Sequence, residues 1–171
     1  MKKQIVIAGT GGQGVLFITR VIVEAAFLSG FSVISSETHG MAMRGGSVIS
    51  QVKIGNYLSP AIEQGQADCL LGLTRQEAEA FAYYVKPKGK IVINDGQDGK
   101  NRIDAEGLAK KMGLPRSGNM VFLGYAGRQA GLGLKPEKVR EAISKLSPPK
   151  FRDQNLAAFE AGSQKKVDHS Q

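Results

Sequence analysis

Residues 4–14, QIVIAGTGGQG, decide the fold class of this chain. The first five form a short apolar run rich in β-branched side chains, which predicts a buried strand. Gly9, Gly11 and Gly14 follow in the spacing G-x-G-x-x-G, and apolar residues then recur at helical spacing over 15–29. A strand that enters a helix through a glycine-rich turn is typical of α/β domains.

The glycine-rich turn has two interpretations. In the first, its residues bind a cofactor, because glycines let the backbone approach a phosphate at the positive end of a helix. In the second, the glycines only make a tight connection between a strand and a helix. The candidate cofactor-binding residues are Gly9, Gly11, Gly12, Gln13 and Gly14.

The rest of the chain continues the α/β pattern. Further strands are predicted at 31–35, 47–54, 68–73 and 90–94. Helices are predicted at 59–65, 75–85, 104–112, 120–130, 136–146 and 153–162, with a turn at 87–89. The run DCLLGL at 68–73 shows no polar alternation, which is typical of a central parallel strand covered on both faces.

These elements predict one α/β domain over 1–163, followed by a polar tail over 164–171. We expect a mostly parallel, open, Rossmann-like sheet with helices on both faces and a helical C-terminal part. The short connection between the first two strands suggests that they are neighbours in the sheet.

Residues 36–47, SETHGMAMRGGS, form the most informative predicted loop. It follows the carboxyl end of the second strand, where open α/β sheets place their sites. Arg44 and the glycine-rich turn together favour an anion, or an acidic group of a partner. The alternative is a surface loop in which Arg44 pairs with Glu37. The candidate cleft or interface residues are Glu37, His39, Met41, Met43, Arg44, Gly45 and Gly46.

Composition excludes several classes of protein. The 171 residues carry a net charge of +8, but basic and acidic residues alternate, which indicates a solvated surface rather than a nucleic-acid site. No apolar run approaches the ~20 residues of a membrane span. The single cysteine, Cys69, excludes an iron–sulfur cluster held by cysteines of this chain, and it is expected to be a buried core thiol. We expect no catalytic residue and no metal site here, and a cytoplasmic location.

Four stretches together resemble one family. They are IVIAGTGGQGV at 5–15, SETHGMAMRGGSVISQVKIG at 36–55, NMVFLGYAG at 119–127 and KFRDQNLAAFEAG at 150–162. In this order they resemble the gamma subunit of 2-oxoacid:acceptor (ferredoxin) oxidoreductases, and the 36–47 loop is most similar to the indolepyruvate and 2-oxoglutarate branches. The resemblance spans nearly the whole chain.

The resemblance implies a subunit of an assembly that decarboxylates a 2-oxoacid oxidatively and transfers the acyl group to coenzyme A. Thiamine diphosphate, Mg²⁺ and the iron–sulfur clusters are then expected on alpha, beta and ferredoxin-like delta subunits, with ferredoxin as the electron acceptor. This chain alone is expected to bind no cofactor and to be inactive. Two alternatives stay open: a free-standing NAD(P)-binding oxidoreductase built on the glycine-rich turn, and a non-catalytic scaffold module.

Overall fold

The computed structural model describes residues 1–39 and 45–166, with only the backbone of His39. The strands are β1 (Lys3–Thr10), β2 (Val33–His39), β3 (Ser47–Ile54), β4 (Ala67–Gly72), β5 (Val85–Asn94) and β6 (Arg102–Ile103). The helices are α1 (Val15–Leu28), α2 (Arg75–Ala80), α3 (Ala105–Lys111), α4 (Gly118–Gln129), α5 (Pro136–Leu146) and α6 (Arg152–Gln164). Short 3₁₀ turns cover Ala82–Tyr84 and Pro149–Phe151.

The strands form one sheet in the order β2-β3-β1-β4-β5-β6. β1, β4, β5 and β6 pair in parallel, whereas β3 is antiparallel to both β1 and β2. The predicted mostly parallel sheet is confirmed. The predicted contact between the first two strands is wrong, because β3 lies between them. β3 buries Ile49 on one face of the sheet and Val52 on the other, which suits an interior strand, whereas β2 is largely polar and suits an edge.

Helices cover both faces of the sheet, as predicted, but unequally. Ile5 and Ile7 of β1 point into the larger core, which also contains residues of α1, α3, α4, α5 and α6. Val6 and Ala8 point to the opposite face, where α2 supplies the buried Ala78. The thick helical layer on one face contains the clefts described below.

Four local predictions are wrong. Residues 59–65 form no helix; this segment is held by its buried Ile62, whose backbone N–H donates to the side-chain oxygen of Gln51. The helix predicted at 75–85 ends at Ala80. The turn predicted at 87–89 lies inside β5, where Lys88 takes a φ of +70°. Residues 36–39 extend β2 rather than forming a loop.

The helices α4 and α6 pack with their backbones in contact. A Cβ on Gly124 would lie 2.1 Å from the carbonyl oxygen of Phe159, and one on Gly162 would lie 1.9 Å from that of Val121. No side chain fits at either position. These two glycines therefore set the position of α4, whose N-terminus reaches the glycine-rich turn.

Candidate functional site

The glycine-rich turn lies at the carboxyl end of β1 and is fixed by its own glutamine. The side-chain oxygen of Gln13 accepts a hydrogen bond from the backbone N–H of Thr10 at 2.7 Å, and the backbone N–H of Gln13 donates to the Thr10 carbonyl at 3.1 Å. Gly12 and Gly14 take φ values of +92° and +85°, which favour glycine. These hydrogen bonds and the left-handed glycines therefore fix the backbone conformation of the turn.

Two of its glycines allow close contacts. A Cβ on Gly9 would lie 2.8 Å from Cγ2 of Val15 and 3.0 Å from Cβ of Leu73. A Cβ on Gly14 would lie 2.3 Å from the side-chain nitrogen of Asn119. The turn therefore packs directly against the first turn of α4.

A cleft of about 450 Å³ opens where the glycine-rich turn meets α4. Gly14, the N-cap of α1, and Gly118, the first residue of α4, both line it, so two helix N-termini face one space. The complete lining is Gly12, Gln13, Gly14, Glu106, Pro115, Arg116, Gly118 and Asn119.

These two helix N-termini differ from the others in the described part of the chain. Neither α1 nor α4 has a side-chain cap or an acidic residue in its first turn. The helices α2, α3, α5 and α6 each have an acidic residue there. Caps and first-turn carboxylates normally neutralise the positive end of a helix. The cleft therefore collects two positive helix ends that lack an acid of their own, which favours an anion, and the carboxylate of Glu106 from α3 lies beside one of them, 3.2 Å from where a Cβ on Gly118 would be.

Arg116 adds a full positive charge on the exposed wall of the cleft. The carboxylate of Glu106 lies on another wall and accepts a hydrogen bond from the side-chain amide of Asn94. That amide is itself fixed, because its oxygen accepts from the backbone N–H of Ala105 at 3.0 Å. The acidic group is thus tied to the sheet, whereas the arginine reaches solvent.

A smaller cleft of about 240 Å³ adjoins the first and shares Arg116 and Asn119 with it. Its other walls are more apolar and include Phe17, Pro148 and Phe151. Together the two clefts form a space in which one end favours an anion and the other end is apolar and aromatic.

Asn155, from the C-terminal motif, joins the elements behind this smaller cleft. Its side-chain oxygen accepts from the hydroxyl of Ser117 at 3.2 Å, and its side-chain nitrogen donates to the hydroxyl of Ser147 at 2.9 Å. Ser117 precedes α4 and Ser147 follows α5, and both are buried. Asn155 therefore fixes the N-terminus of α4 relative to α5.

The two sequence motifs meet in the structure. The backbone N–H of Gly11 donates to the carbonyl of Gly46 at 3.0 Å, because Thr10 of β1 pairs with Ser47 of β3. The hydroxyl of Ser47 in turn donates to Glu77 at 2.9 Å. Glu77 is only 5% exposed, and its second carboxylate oxygen has no partner among the described residues.

The other predicted loop residues fall elsewhere. Glu37 is exposed on the edge strand β2 and pairs with Ser50, which places it two strands, or about 10 Å, from β1. The structure therefore does not bring this carboxylate to the glycine-rich turn. His39 ends β2, and only its backbone is described. Met41, Met43 and Arg44 lie outside the described residues.

Sequence reasoning missed the second half of the cleft. Glu106, Arg116 and Asn119 come from a part of the chain more than 90 positions after the glycine-rich turn. The sequence contains one signal of this helix N-terminus: the residues RSGNM at 116–120, which lead into α4, include no acidic residue.

The described residues offer few other reactive or metal-binding groups. Cys69 is completely buried, as predicted, and burial raises the pKa of its thiol to about 12. Within residues 1–39 and 45–166 no three histidine, cysteine, aspartate or glutamate side chains cluster as metal ligands would. In the same ranges no helix has the length and apolar character to cross a membrane.

Comparison with known proteins agrees with this fold. A sequence model of the pyruvate ferredoxin/flavodoxin oxidoreductase family matches residues 4–165. The chain is 31% identical to the indolepyruvate oxidoreductase subunit IorB of Archaeoglobus fulgidus, over 95% of this chain and 94% of that one. It is 26% identical to the 2-oxoglutarate synthase subunit KorC of Methanothermobacter marburgensis, over 95% of each.

Among solved structures, the chain is similar to the keto/oxoacid ferredoxin oxidoreductase gamma subunit of Geobacter sulfurreducens. The two share 27% identity and superimpose with a TM-score of 0.76 over 94% of this chain and 95% of that one. The match of the family's sequence model to nearly all of the chain, with these relatives, shows that the chain belongs to the pyruvate ferredoxin/flavodoxin oxidoreductase family.

Proposed function

We propose that this chain is the gamma subunit of a 2-oxoacid:ferredoxin oxidoreductase that carries out coenzyme A-dependent oxidative decarboxylation. The support is the match to IorB and KorC subunits along almost their whole length. The sheet order also argues against a free-standing NAD(P)-binding enzyme. In the classical dinucleotide fold the strand that carries the ribose-binding acid is next to β1, and here antiparallel β3 takes that place.

The residues of this chain do not fit the redox and thiamine chemistry of such an enzyme. A cysteine-ligated cluster needs several thiolates, and the chain has one cysteine, which is buried. Among the described residues no three carboxylate, imidazole or thiolate side chains cluster as ligands of a metal ion. We propose that alpha, beta and delta partner subunits hold the thiamine diphosphate, its Mg²⁺ and the clusters, with ferredoxin as the acceptor of electrons.

The cleft fits an anionic part of coenzyme A. The single observation that carries this proposal is the convergence of two uncapped helix N-termini, of α1 and α4, beside Arg116. Backbone N–H groups and a guanidinium are the donors that phosphate oxygens accept from. The adjoining apolar cleft, with Phe17 and Phe151, would take a less polar part of the same molecule.

The segment that precedes β3 fits a contact with a partner subunit. Gly46 is hydrogen-bonded to the glycine-rich turn, so whatever binds this segment also adjoins the cleft. The sequence places Met41, Met43 and Arg44 just before it, and methionine and arginine are enriched at protein interfaces. We propose that this segment contacts a partner subunit of the assembly.

Reconstitution tests the proposal. The purified chain is assayed for 2-oxoacid- and coenzyme A-dependent reduction of methyl viologen, alone and with the chains that co-purify with it. We expect no turnover by the chain alone, turnover by the assembly, and loss of turnover when this chain is omitted. Turnover by the isolated chain, or full activity of the partners without it, would contradict the proposal.

A further inference from the structure

A third cavity, of about 440 Å³, lies within the helical layer. On α4 it borders residues from Leu123 to Arg128, whereas the first cleft borders Gly118 and Asn119, and no residue that lines this cavity lines either of the two clefts described above. The cavity is therefore separate from the proposed coenzyme A site. Its volume falls within the ~300–1,000 Å³ of small-molecule sites.

The walls of this cavity are mostly apolar. The apolar residues that line it come from α1, α4, α5, α6 and the connection between α4 and α5, and they are Ile22, Leu123, Leu132, Leu134, Val139 and Phe159. Gly127 borders the empty space directly, because a Cβ added to it would meet no atom within 4 Å. Gly124, one turn earlier, is by contrast pressed against α6. The space thus lies along one defined stretch of α4.

Three charged side chains also line the cavity. Arg140 and Glu160 form an ion pair with each other, so together they contribute no net charge. Arg128 donates instead to two backbone carbonyls, those of Ser163 at 2.8 Å and Lys165 at 3.1 Å. Within the described ranges no carboxylate pairs with Arg128.

Carbonyls at the end of α6 carry only partial negative charge, so Arg128 keeps most of its positive charge beside the apolar walls. A guanidinium has five N–H donors, and the two carbonyl contacts leave others available. This combination suits a ligand with an apolar body and one negative charge.

We propose that this cavity binds a compact apolar carboxylate, an aliphatic or aromatic acid whose hydrocarbon part contacts the leucine and phenylalanine walls. Its carboxylate accepts hydrogen bonds from Arg128. The inference rests on this cavity alone and does not depend on the proposed oxidoreductase function.

Displacement of a fluorescent probe tests the proposal on the full chain. 8-Anilinonaphthalene-1-sulfonate is titrated to saturation and then displaced with octanoate or with 1-octanol, which has the same chain length and no charge. We expect saturable probe binding of which the part in this cavity is displaced at least tenfold more effectively by octanoate than by 1-octanol. Absence of a saturable site, or equal displacement by the two compounds, would overturn the proposal; equal displacement would mean that Arg128 is already neutralised.

Two variants locate the site. Gly127→Leu fills the cavity and should abolish the probe binding that octanoate displaces, whereas Ala157→Leu, at an exposed position of α6, should leave it unchanged. Arg128→Gln should remove the advantage of octanoate over octanol. Its control is Arg152→Gln, since Arg152 also donates to a backbone carbonyl but lies outside the cavity. Unchanged probe binding by Gly127→Leu, or an unchanged advantage of octanoate in Arg128→Gln, would contradict the assignment.

Discussion

Gly11 donates its backbone N–H to the carbonyl oxygen of Gly46 at 3.0 Å. This hydrogen bond joins the glycine-rich turn after β1 to the segment before β3, two motifs that are more than 30 positions apart in sequence. It exists because β3 runs antiparallel to β1 and returns the chain to the carboxyl end of β1. A partner that binds the second motif therefore adjoins the cleft that the first motif lines.

Gly14 should tolerate a side chain less well than Gly12. Both have positive φ, so alanine at either position is strained by about 1–2 kcal/mol. An added Cβ at Gly14 would also collide with Asn119 at 2.3 Å, whereas at Gly12 it would meet nothing within 4 Å. We expect Gly14→Ala to lower the free energy of unfolding in urea more than Gly12→Ala does. Equal losses would show that the turn and α4 are not in contact.

Asn155→Ala should destabilise the chain by about 1–3 kcal/mol. The substitution leaves the hydroxyls of Ser117 and Ser147 buried without the partner that now joins them. Gln154→Ala, at the neighbouring exposed position, is the matched control and should change little. The measurement is the midpoint of thermal unfolding. A loss no greater than that of the control would rule out the proposed link between α4 and α5.

Cys69 should react slowly with thiol reagents at pH 8 in the native state and rapidly after unfolding. Burial raises the pKa of the thiol from 9.0 to about 12, so the reactive thiolate is scarce. Because the folded pKa is above the unfolded one, the stabilisation is complete below pH 9 and is lost as the pH rises toward 12. Between pH 8 and 10 the wild type should therefore lose about 1 kcal/mol more stability than Cys69→Ala. Rapid native labelling, or parallel pH profiles of the two proteins, would contradict this assignment.

Elements with strong local signals could be predicted from the sequence. The helix predicted at 136–146 has the bounds of α5, because Pro136 favours the first turn of a helix and apolar residues recur along one side. The strand predicted at 47–54 has the bounds of β3. The part of β2 over 36–39 could not be predicted, since an edge strand needs no apolar alternation and its polar residues are typical of loops.

Only the part of the candidate site formed by the glycine-rich turn could be predicted from the sequence. The glycine-rich turn can be recognised from the spacing of its glycines, whereas Arg116 and Asn119 reach the cleft through packing between distant elements. That packing depends on Gly124 and Gly162, whose role becomes visible only when α4 and α6 are in contact. The strand order could not be predicted either, because local sequence does not indicate which strand pairs with β1.

We propose that the cleft between α1 and α4 binds an anionic part of coenzyme A. The most direct test is the Michaelis constant for coenzyme A of the reconstituted assembly with Arg116→Ala in this chain. Arg20→Ala is the matched control, since Arg20 is an exposed arginine of α1 that lines neither of the two clefts. Loss of a charge-assisted contact should raise this constant roughly tenfold in Arg116→Ala, with kcat at saturating coenzyme A and assembly unchanged. If Arg116→Ala and Arg20→Ala leave the constant equally unaffected, the cleft does not bind coenzyme A.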